Sequence, residues 1–335
     1  MRKSIYELEY QSVLSIMDTQ IAIKYLKNTF EQYLFKKLNL LRVSAPLFVL
    51  SKSGLNDGLS GKERPIAFKV ANFDDNAEIV HSLAKWKRVA LKKYGFTVGN
   101  GLFTDMNAIR KDESLDFIHS LYVDQWDWEQ VIDEEHRNLS YLKKVVNKIY
   151  RSIYLLEDKV IAKFPKLTKK LPKKIHFIST SELEKKYPQL SRKEREDQIV
   201  REYKAVFLYQ IGYPLKDGLP HDERASDYDD WLLNGDILVH YPLFDIALEL
   251  SSMGIRVNKD SLIKQLTIKN ELFKLENDYC KSILENKVPL TIGGGIGQSR
   301  LCMFLLEKAH IGEVQVSIWD KDEIETLKKL NIYLL

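Results

Sequence analysis

The chain has 335 residues, 44% of them hydrophobic and 29% charged, with a net charge of +4. These values suit a globular protein of one large domain or two, and so small a charge does not demand a nucleic-acid partner. The cysteines, Cys280 and Cys302, have neither metal-ligand spacing nor a disulfide framework, so we expect a reducing cytoplasm. We expect no membrane association, because no signal-peptide pattern or membrane-length apolar run is present.

The first third of the chain opens with a helical pattern. Apolar residues recur near helical spacing over Tyr10–Leu38, and Asn39 can end that helix. The next run, Leu40–Leu50, predicts a strand interrupted by Pro46, which belongs at a strand end or edge because proline lacks the ladder N–H. The cluster Asn56–Gly61 has the composition of a turn.

A positively charged helix is predicted next, over Glu78–Leu91. Ser82 and Lys85 share one of its faces. Lys85, Lys87 and Arg88 place three positive charges within one turn. This cluster is either a solvated face or a clamp for carboxylates.

Two strands with polar side chains follow. Gly99–Glu113 reads as a glycine turn and then a strand that ends at Arg110. Ser120–Trp128 alternates, so Gln125 and Asp127 share a strand face. An acidic residue between two tryptophans is poorly explained by solubility, which indicates a functional role for that face.

The middle of the chain predicts helices, a connector and a strand, and contains no candidate site residue. A long amphipathic helix is predicted over Gln130–Ile161, and the Lys- and Pro-rich Lys163–Lys174 reads as a solvated connector rather than an RNA-binding segment. Charged surface helices are predicted over Ser179–Tyr187 and Ser191–Glu202, and a buried strand begins at Ala205.

The next segment, after the strand that begins at Ala205, is rich in acidic residues. The loop His221–Trp231 is rich in Asp and Glu around a single Arg, but it lacks the spacing of an EF-hand. Asp236 opens a strand, and a second strand is predicted to run from Leu243 to Arg256. Glu249 and Arg256, near Ser252 on that strand, would place a metal ligand beside a phosphate ligand.

A predicted helix, Ser261–Asn286, leads to the glycine-rich stretch Pro289–Leu301. Its glycines fit neither a P-loop nor a dinucleotide fingerprint. Glycines at a strand-to-helix turn let the backbone approach a flat or anionic ligand, and Arg300 adds a fixed positive charge. The glycines alone could equally form a tight turn between two core elements with no role in ligand binding.

These segments, in order, resemble the three motifs of class II aminoacyl-tRNA synthetases, at about residues 10–50, 99–129 and 289–306. A closer resemblance is to the ammonia-dependent asparagine synthetase family. The stretches that carry it are Asp57–Gly61, His81–Arg88, Tyr122–Glu129, Arg224–Trp231, Asn234–Val239, Glu249–Arg256 and Thr291–Arg300. This chain departs from the family at one place: the family has more residues between the positions of Trp231 and Asn234, where this chain has only Leu232 and Leu233.

The resemblance implies an α+β fold, a class II synthetase-like catalytic core with an antiparallel β-sheet flanked by helices, as a single domain over residues 1–335. It implies a homodimer formed through the N-terminal helix and the Pro46 strand. It also implies ATP-dependent conversion of L-aspartate and ammonia to L-asparagine through β-aspartyl-AMP, with Mg2+ as cofactor.

The same resemblance implies the site residues. The nucleotide-binding set is Arg110, Ser252, Arg256, Gly293, Gly294, Gly295 and Arg300. The aspartate-binding set is Asp57, Ser82, Lys87, Gln125, Asp127 and Asp229. The metal ligands are Asp236 and Glu249, and the catalytic set is Arg110, Asp229, Arg300 and Asp57.

Two other functions remain open from the residues. One is a tRNA-charging or protein-modifying class II ligase, although no leading β-barrel pattern is seen. The other is a non-catalytic paralogue that binds an amino acid. Free ammonia is the expected nitrogen source, because position 2 is Arg2 rather than the cysteine of an N-terminal glutaminase.

Overall fold

The computed structural model describes residues 3–60 and 63–335, which form a mixed α+β fold around one large sheet. The helices are α1 Ile16–Leu38, α2 Ala84–Lys93, α3 Leu139–Lys163, α4 Thr180–Lys186, α5 Arg192–Tyr203, α6 Lys259–Ile268, α7 Asp278–Leu284, α8 Gln298–Leu305 and α9 Lys321–Lys329. The strands are β1 Leu40–Arg42, β2 Phe48–Leu50, β3 Ala67–Lys69, β4 Asn76–Ile79, β5 Gly101–Ile109, β6 Tyr122–Val131, β7 His176–Ser179, β8 Ala205–Tyr209, β9 Asp229–Tyr241, β10 Ile246–Arg256 and β11 Thr291–Gly297. Short 3-10 turns occur at Ile5–Glu7, Ser51–Ser53, Glu134–His136, Leu272–Glu276 and Ile311–Glu313.

The main sheet has eight strands in the order β1-β5-β6-β11-β10-β9-β8-β7. All pairings inside it are antiparallel, and only the two outer pairs, β1 with β5 and β7 with β8, are parallel. The predicted antiparallel sheet flanked by helices is therefore confirmed. A separate small sheet, β2-β4-β3, lies between β1 and α2 in the chain.

One face of the main sheet carries the principal core. Trp126 and Trp128 of β6 are fully buried there, in a cluster that also contains Phe30 of α1 and Val146 of α3. Because strand side chains alternate, Gln125, Asp127 and Glu129 point to the opposite face. Helices therefore cover one side of the centre of the sheet, and polar groups line the other.

Several predicted boundaries were wrong, each for a local reason. The first helix begins at Ile16 rather than Tyr10, because Ser15 caps it by accepting from Asp18 N. Asn39 does end this helix, with a left-handed φ of 52°. The predicted helix over Glu78–Leu91 is instead strand β4 followed by α2, and Ser82 lies before the helix.

Two longer predictions were also divided. The helix predicted over Gln130–Ile161 begins at Leu139, because β6 continues to Val131. The helix predicted over Ser261–Asn286 is split into α6 and α7 by a turn in which Asn270 has φ 57°. Trp231 and Asn234 lie within the single strand β9, which continues through Leu232 and Leu233.

Pro46 separates strands that enter different sheets, β1 in the large one and β2 in the small one. The turn cluster predicted over Asn56–Gly61 forms bends as far as Ser60, and Gly61 lies outside the described residues. Among the helices described, none is both long enough and apolar enough to cross a lipid bilayer.

Candidate functional site

A cleft of about 480 Å3 opens on the polar face of the main sheet. Its floor comes from β6, β10 and β11, and its walls come from the segments before α2, after β5 and before β9. Twelve of the fifteen predicted site residues line it: Ser82, Lys87, Arg110, Gln125, Asp127, Asp229, Glu249, Ser252, Arg256, Gly294, Gly295 and Arg300. The sheet thus gathers residues that lie far apart in sequence.

The predicted glycine turn is in fact strand. Gly293 and Gly295 lie inside β11, where they pair with Glu129 and Asp127 of β6. A Cβ at Gly293 would lie 2.0 Å from Glu129 Oε2, and one at Gly295 would lie 2.2 Å from Gln125 Oε1. These glycines are required because side chains of the neighbouring strand lie across them, not because the chain turns there.

Two guanidinium groups, those of Arg110 and Arg300, face the cleft without a close carboxylate partner among the described residues. Arg110 follows β5, and its side chain makes no hydrogen bond or ion pair with the part of the chain that the structure describes; its Nε is buried without a partner. Within the described residues Arg300, on α8, makes only long contacts, from Nε to Ile118 O (3.4 Å) and from Nη1 to Glu249 O (3.4 Å) and Glu249 Oε2 (4.0 Å). Burial lowers the pKa of Arg110, against the effect of Glu113, and the neighbouring charge of Arg300 adds to that lowering. Two adjacent positive groups of this kind suit an anionic ligand.

Lys87 and Asp127 form a buried pair at the cleft floor. The Lys87 ammonium donates to Asp127, to Trp128 O (3.0 Å) and to Gly294 O (3.3 Å), so its three N–H groups are all used. Asp127 also accepts from Leu83 N at 3.2 Å. Lys87 therefore holds Asp127 in place, and direct binding of a substrate carboxylate would require it to give up an existing bond.

Arg256 is held in the same way by two carboxylates. Its Nε and Nη2 donate to Glu129 at 3.0 and 2.6 Å, and its Nη1 donates to Asp229 at 2.5 Å. Burial would raise the pKa of Glu129, but Arg256 and its hydrogen bonds lower it below the ordinary 4.5. This pair therefore stabilises the fold above that pH, and the contribution is lost as pH falls. These bonds use three of the five N–H groups of the Arg256 guanidinium, which also lines the cleft, so the phosphate contact by Arg256 stays a prediction.

A β-bulge sets the direction of the β10 side chains. Glu249 pairs with Leu238 and Ser251 with Ile237, so Leu250 is an extra residue in β10. Without it, Glu249 and Arg256, an odd number of positions apart, would point to opposite faces. The bulge brings both to the cleft.

Asp57, Asp236 and Gly293 lie behind the cleft wall rather than on it. Asp57 is fully buried, and its Oδ2 accepts from Ser82 Oγ at 2.8 Å and from Ala84 N at 2.7 Å. It acts as a cap for α2, so its position does not support the predicted direct contact with aspartate.

Asp236 accepts from Arg224, while its Oδ1 is buried without a hydrogen-bond partner among the described residues. Burial raises the pKa of Asp236 to about 7 in spite of Arg224, and Glu249 adds to the rise. No group of three or more His, Cys, Asp or Glu side chains that could hold a metal occurs in the described chain. Asp236 and Glu249 would therefore need ligand oxygens to complete a magnesium site, which is the usual arrangement for this ion.

Two important residues were missed by the sequence analysis. Glu129 anchors Arg256, and the alternation of Gln125 and Asp127 would have pointed to it. Arg224 reaches the cleft and pairs with Asp236 and Asp222. The signal for it was a single arginine inside an acidic loop.

Comparison with known proteins identifies the family of this chain. The family model of aspartate–ammonia ligase matches residues 17–331. The chain belongs to the aspartate–ammonia ligase family. The aspartate–ammonia ligase of Clostridium perfringens strain 13 is 56% identical over 336 aligned residues, which cover 100% of both chains. That of Bacillus cereus strain B4264 is 57% identical over 325 residues, covering 97% of this chain and 99% of the relative.

Solved structures show the same fold at greater distance. The asparaginyl-tRNA synthetase of Pyrococcus horikoshii, complexed with asparaginyl-adenylate, superposes with a TM-score of 0.66 at 16% identity, over 90% of this chain and 68% of that chain. The aspartyl-tRNA synthetase of Entamoeba histolytica gives 0.59 at 16% identity, over 91% and 59%. The class II synthetase-like fold is therefore confirmed.

The buried arginine network allows a first prediction. Glu129→Ala leaves the Arg256 guanidinium buried with only Asp229, so we expect a loss of about 3–5 kcal/mol in the free energy of unfolding. Urea denaturation measures this loss. The control, Glu325→Ala, removes an exposed carboxylate of α9 and should leave the midpoint unchanged. Equal midpoints for the two variants would show that the network does not hold the fold.

Proposed function

We propose that this chain makes L-asparagine from L-aspartate and ammonia by an AMP-forming route, in which ATP activates the β-carboxylate as β-aspartyl-AMP and pyrophosphate is released. Membership of the aspartate–ammonia ligase family supports ATP-dependent synthesis of asparagine and favours it over a tRNA-charging enzyme or a binding-only paralogue. The observation that carries the AMP-forming step is the pair Arg110 and Arg300, two guanidiniums that face one cleft without strong protein partners.

The chemistry explains why these charges are needed. A carboxylate does not react with ammonia, because its oxygen is a poor leaving group. Its attack on ATP brings two anions together, and fixed cations lower that barrier. We assign Arg110 to the α-phosphate and Arg300 to the adenine or a phosphate. Ser252 and the backbone of Gly294 and Gly295 would contact the nucleotide.

Aspartate is proposed to bind beside these arginines. Gln125 and Asp127 share the cleft face of β6 and suit the α-ammonium, which a carboxylate and an amide oxygen can accept. Ser82 is a candidate for a substrate carboxylate. Lys87 is reassigned from substrate binding to the positioning of Asp127, because its donors are already engaged.

Arg256 has a further role beside the phosphate contact. Its two carboxylate partners make it a positioning residue for Asp229, which lines the cleft. Asp229 would flank the reacting end of the aspartate. Burial raises the pKa of Asp229 despite the pairing with Arg256.

Magnesium is proposed at Asp236 and Glu249. The unpartnered Oδ1 of Asp236 fits an oxygen ligand of Mg2+. When bound, the ion would neutralise phosphate charge. Arg224, which pairs with Asp236, would hold that carboxylate in place.

We also propose a homodimer formed through α1, β1 and the segment around Pro46. β1 is an edge strand of the main sheet, and Leu41, Leu47 and Phe48 are 55%, 48% and 49% exposed. An exposed strand edge with large apolar side chains is a pairing surface, and a second copy of the chain is our proposed occupant. A cytoplasmic location is proposed because Cys280 and Cys302 are buried and unpaired.

The reaction itself is tested by incubating the protein with ATP, Mg2+ and L-aspartate, with and without ammonium chloride. We expect AMP and asparagine to form together and only when ammonia is present. Chromatography measures both products. AMP release that requires tRNA and ignores ammonia would contradict the proposal.

The role of Arg110 is tested with Arg110→Lys, which keeps the charge but loses the planar donor fork. We expect aspartate-dependent exchange between pyrophosphate and ATP to fall by about 10²–10³-fold, the typical cost of one lost transition-state donor. Arg64→Lys is the matched control, because Arg64 is exposed and pairs with Asp112. Similar exchange rates in the two variants would show that Arg110 does not act in the adenylation step.

The dimer is tested with Leu41→Asp, which places a charge on the edge strand. We expect the wild type to run as a dimer in size-exclusion chromatography with light scattering, and the variant to run as a monomer. Leu272→Asp, at another exposed leucine, should leave the dimer intact. A monomeric wild type would refute the proposed interface.

A further inference from the structure

The helix that carries Arg300 begins without a side-chain cap of its own. Its N-cap residue is Gly297, which has no side chain to accept from the unpaired N–H groups of the first turn. The acceptor comes instead from β6, because the N–H of Ser299, the second residue of α8, donates to Asp124 Oδ1 at 3.0 Å. Gly297 pairs with Gln125 in the sheet, so the chain leaves β11 directly beside Asp124.

Asp124 is itself held by two other groups. It is 8% exposed, and its Oδ2 accepts from Lys27 Nζ of α1 at 3.2 Å. Its Oδ1 also accepts from Gln315 Nε2 at 3.3 Å, and the same amide donates to Ser299 Oγ at 3.0 Å. Burial lowers the pKa of Lys27, but the charge of Asp124 outweighs burial, so the pKa of Lys27 is raised above its ordinary value. The pair is therefore ionised at neutral pH, and the carboxylate remains an acceptor for the helix.

A second carboxylate holds the first residue of α8. Gln298 donates from Nε2 to Asp105 Oδ1 at 2.9 Å, and Asp105 of β5 accepts from Arg42 of β1. The side chain of Asp105 is 31% exposed, against 9% for Asp124, so water competes more strongly for it. Both residues that precede Arg300 in α8 are thus bonded to carboxylates of the main sheet, and the better shielded of the two is Asp124.

Arg300 depends on this arrangement because its own side chain is weakly held. Its contacts within the described residues, to Ile118 and Glu249, are all 3.4 Å or longer. The backbone of α8, rather than a close partner, therefore sets the direction of the guanidinium. Arg300 is the third residue of α8, and the first turn of a helix is the part that loosens when its N–H groups lose their acceptors. A shift of that turn would displace the guanidinium from the cleft.

We propose that Asp124 is a positioning residue for Arg300. By capping α8 it holds the guanidinium where the nucleotide binds, and Lys27 of α1 holds Asp124 in turn. Asp124 lies at the cleft, but its carboxylate already accepts from Lys27, Ser299 and Gln315, so it acts through Arg300 and not as a ligand. Because α1 is the helix proposed for the dimer, Lys27 also connects that helix to Arg300.

This inference rests on the proposed function, because it needs Arg300 to bind ATP. Arg300→Met removes the guanidinium and keeps an unbranched side chain, and its affinity for ATP can be measured by calorimetry without any reaction. An unchanged Kd for ATP in Arg300→Met would refute the assigned role of Arg300, and the positioning proposal with it. A weaker Kd in Arg300→Met, together with wild-type affinity in Asp124→Ala, would overturn the positioning role alone.

Asp124→Ala removes the cap of α8 and is the first test. We expect the KM for ATP in pyrophosphate exchange to rise about 5–10-fold, the size of a lost helix cap expressed as an equilibrium constant, and the KM for aspartate to change by less than about twofold. A wild-type KM for ATP in this variant, or a larger rise in the KM for aspartate than for ATP, would overturn the proposal.

Ser191→Ala is the matched control for loss of a helix cap. The Ser191 side chain caps α5, and no residue of α5 in the described chain lines the cleft. This variant should lower the urea midpoint, as Asp124→Ala does, and leave both KM values unchanged. A rise in the KM for ATP in Ser191→Ala as large as that in Asp124→Ala would show that lost stability explains the effect, and would contradict the positioning role.

A double-mutant cycle separates positioning from a general structural effect. If Asp124 acts through Arg300, the variant that carries both Asp124→Ala and Arg300→Met should bind ATP no more weakly than Arg300→Met alone, because the group that Asp124 positions is already absent. Independent effects would multiply. Affinity about 5–10-fold weaker in the double variant than in Arg300→Met would therefore count against the proposal.

The pairing with Lys27 provides a rescue experiment. Asp124→Asn keeps an oxygen for the N–H of Ser299 but turns amide N–H groups toward the Lys27 ammonium, so its KM for ATP should rise about as far as that of Asp124→Ala. Lys27→Met removes the ammonium, and we expect Asp124→Asn combined with Lys27→Met to return the KM for ATP to within about threefold of wild type. A combined variant no better than Asp124→Asn alone would contradict the proposed arrangement.

Discussion

The close approach of β6 and β11 at Gly293 is the constraint on which the cleft depends. The Glu129 carboxylate occupies the space that a side chain at this position would fill, and from there it holds Arg256 of β10. Arg256 in turn holds Asp229 at the start of β9. One buried network therefore links the four strands β6, β9, β10 and β11 beneath the cleft. A larger residue at Gly293 would displace the whole arrangement.

The positive charges of the site divide into two classes. Lys85, Lys87 and Arg256 are buried and paired with carboxylates, so their charges are neutralised within the protein. Arg110 and Arg300 are not compensated in this way. Since an uncompensated buried charge is costly, its presence in a cleft indicates a ligand of opposite sign. The presence of two cations without close carboxylate partners, rather than the number of basic residues, is what supports a nucleoside triphosphate at the site.

Much of the fold and of the site could be predicted because the relevant signals are local or repeat across the sheet. The alternation of tryptophans with Gln125 and Asp127 correctly predicted that β6 has one buried face and one polar face, and the polar face lines the cleft. Long-range effects could not be predicted. The bulge at Leu250 depends on the register with β9, and the glycines of β11 are explained only by side chains of another strand. The sequence also gave no sign that Asp57 caps a helix twenty-odd residues later in the chain.

The central claim is that the β-carboxylate of aspartate is joined to AMP before ammonia attacks. Aspartate labelled with heavy oxygen in its β-carboxylate tests this claim most directly, with mass spectrometry of the products. The account predicts that one labelled oxygen of each aspartate appears in the phosphate of AMP and the other in the amide of asparagine. Label in pyrophosphate or inorganic phosphate, with none in AMP, would show that the carboxylate is activated at a different phosphorus and would contradict the account.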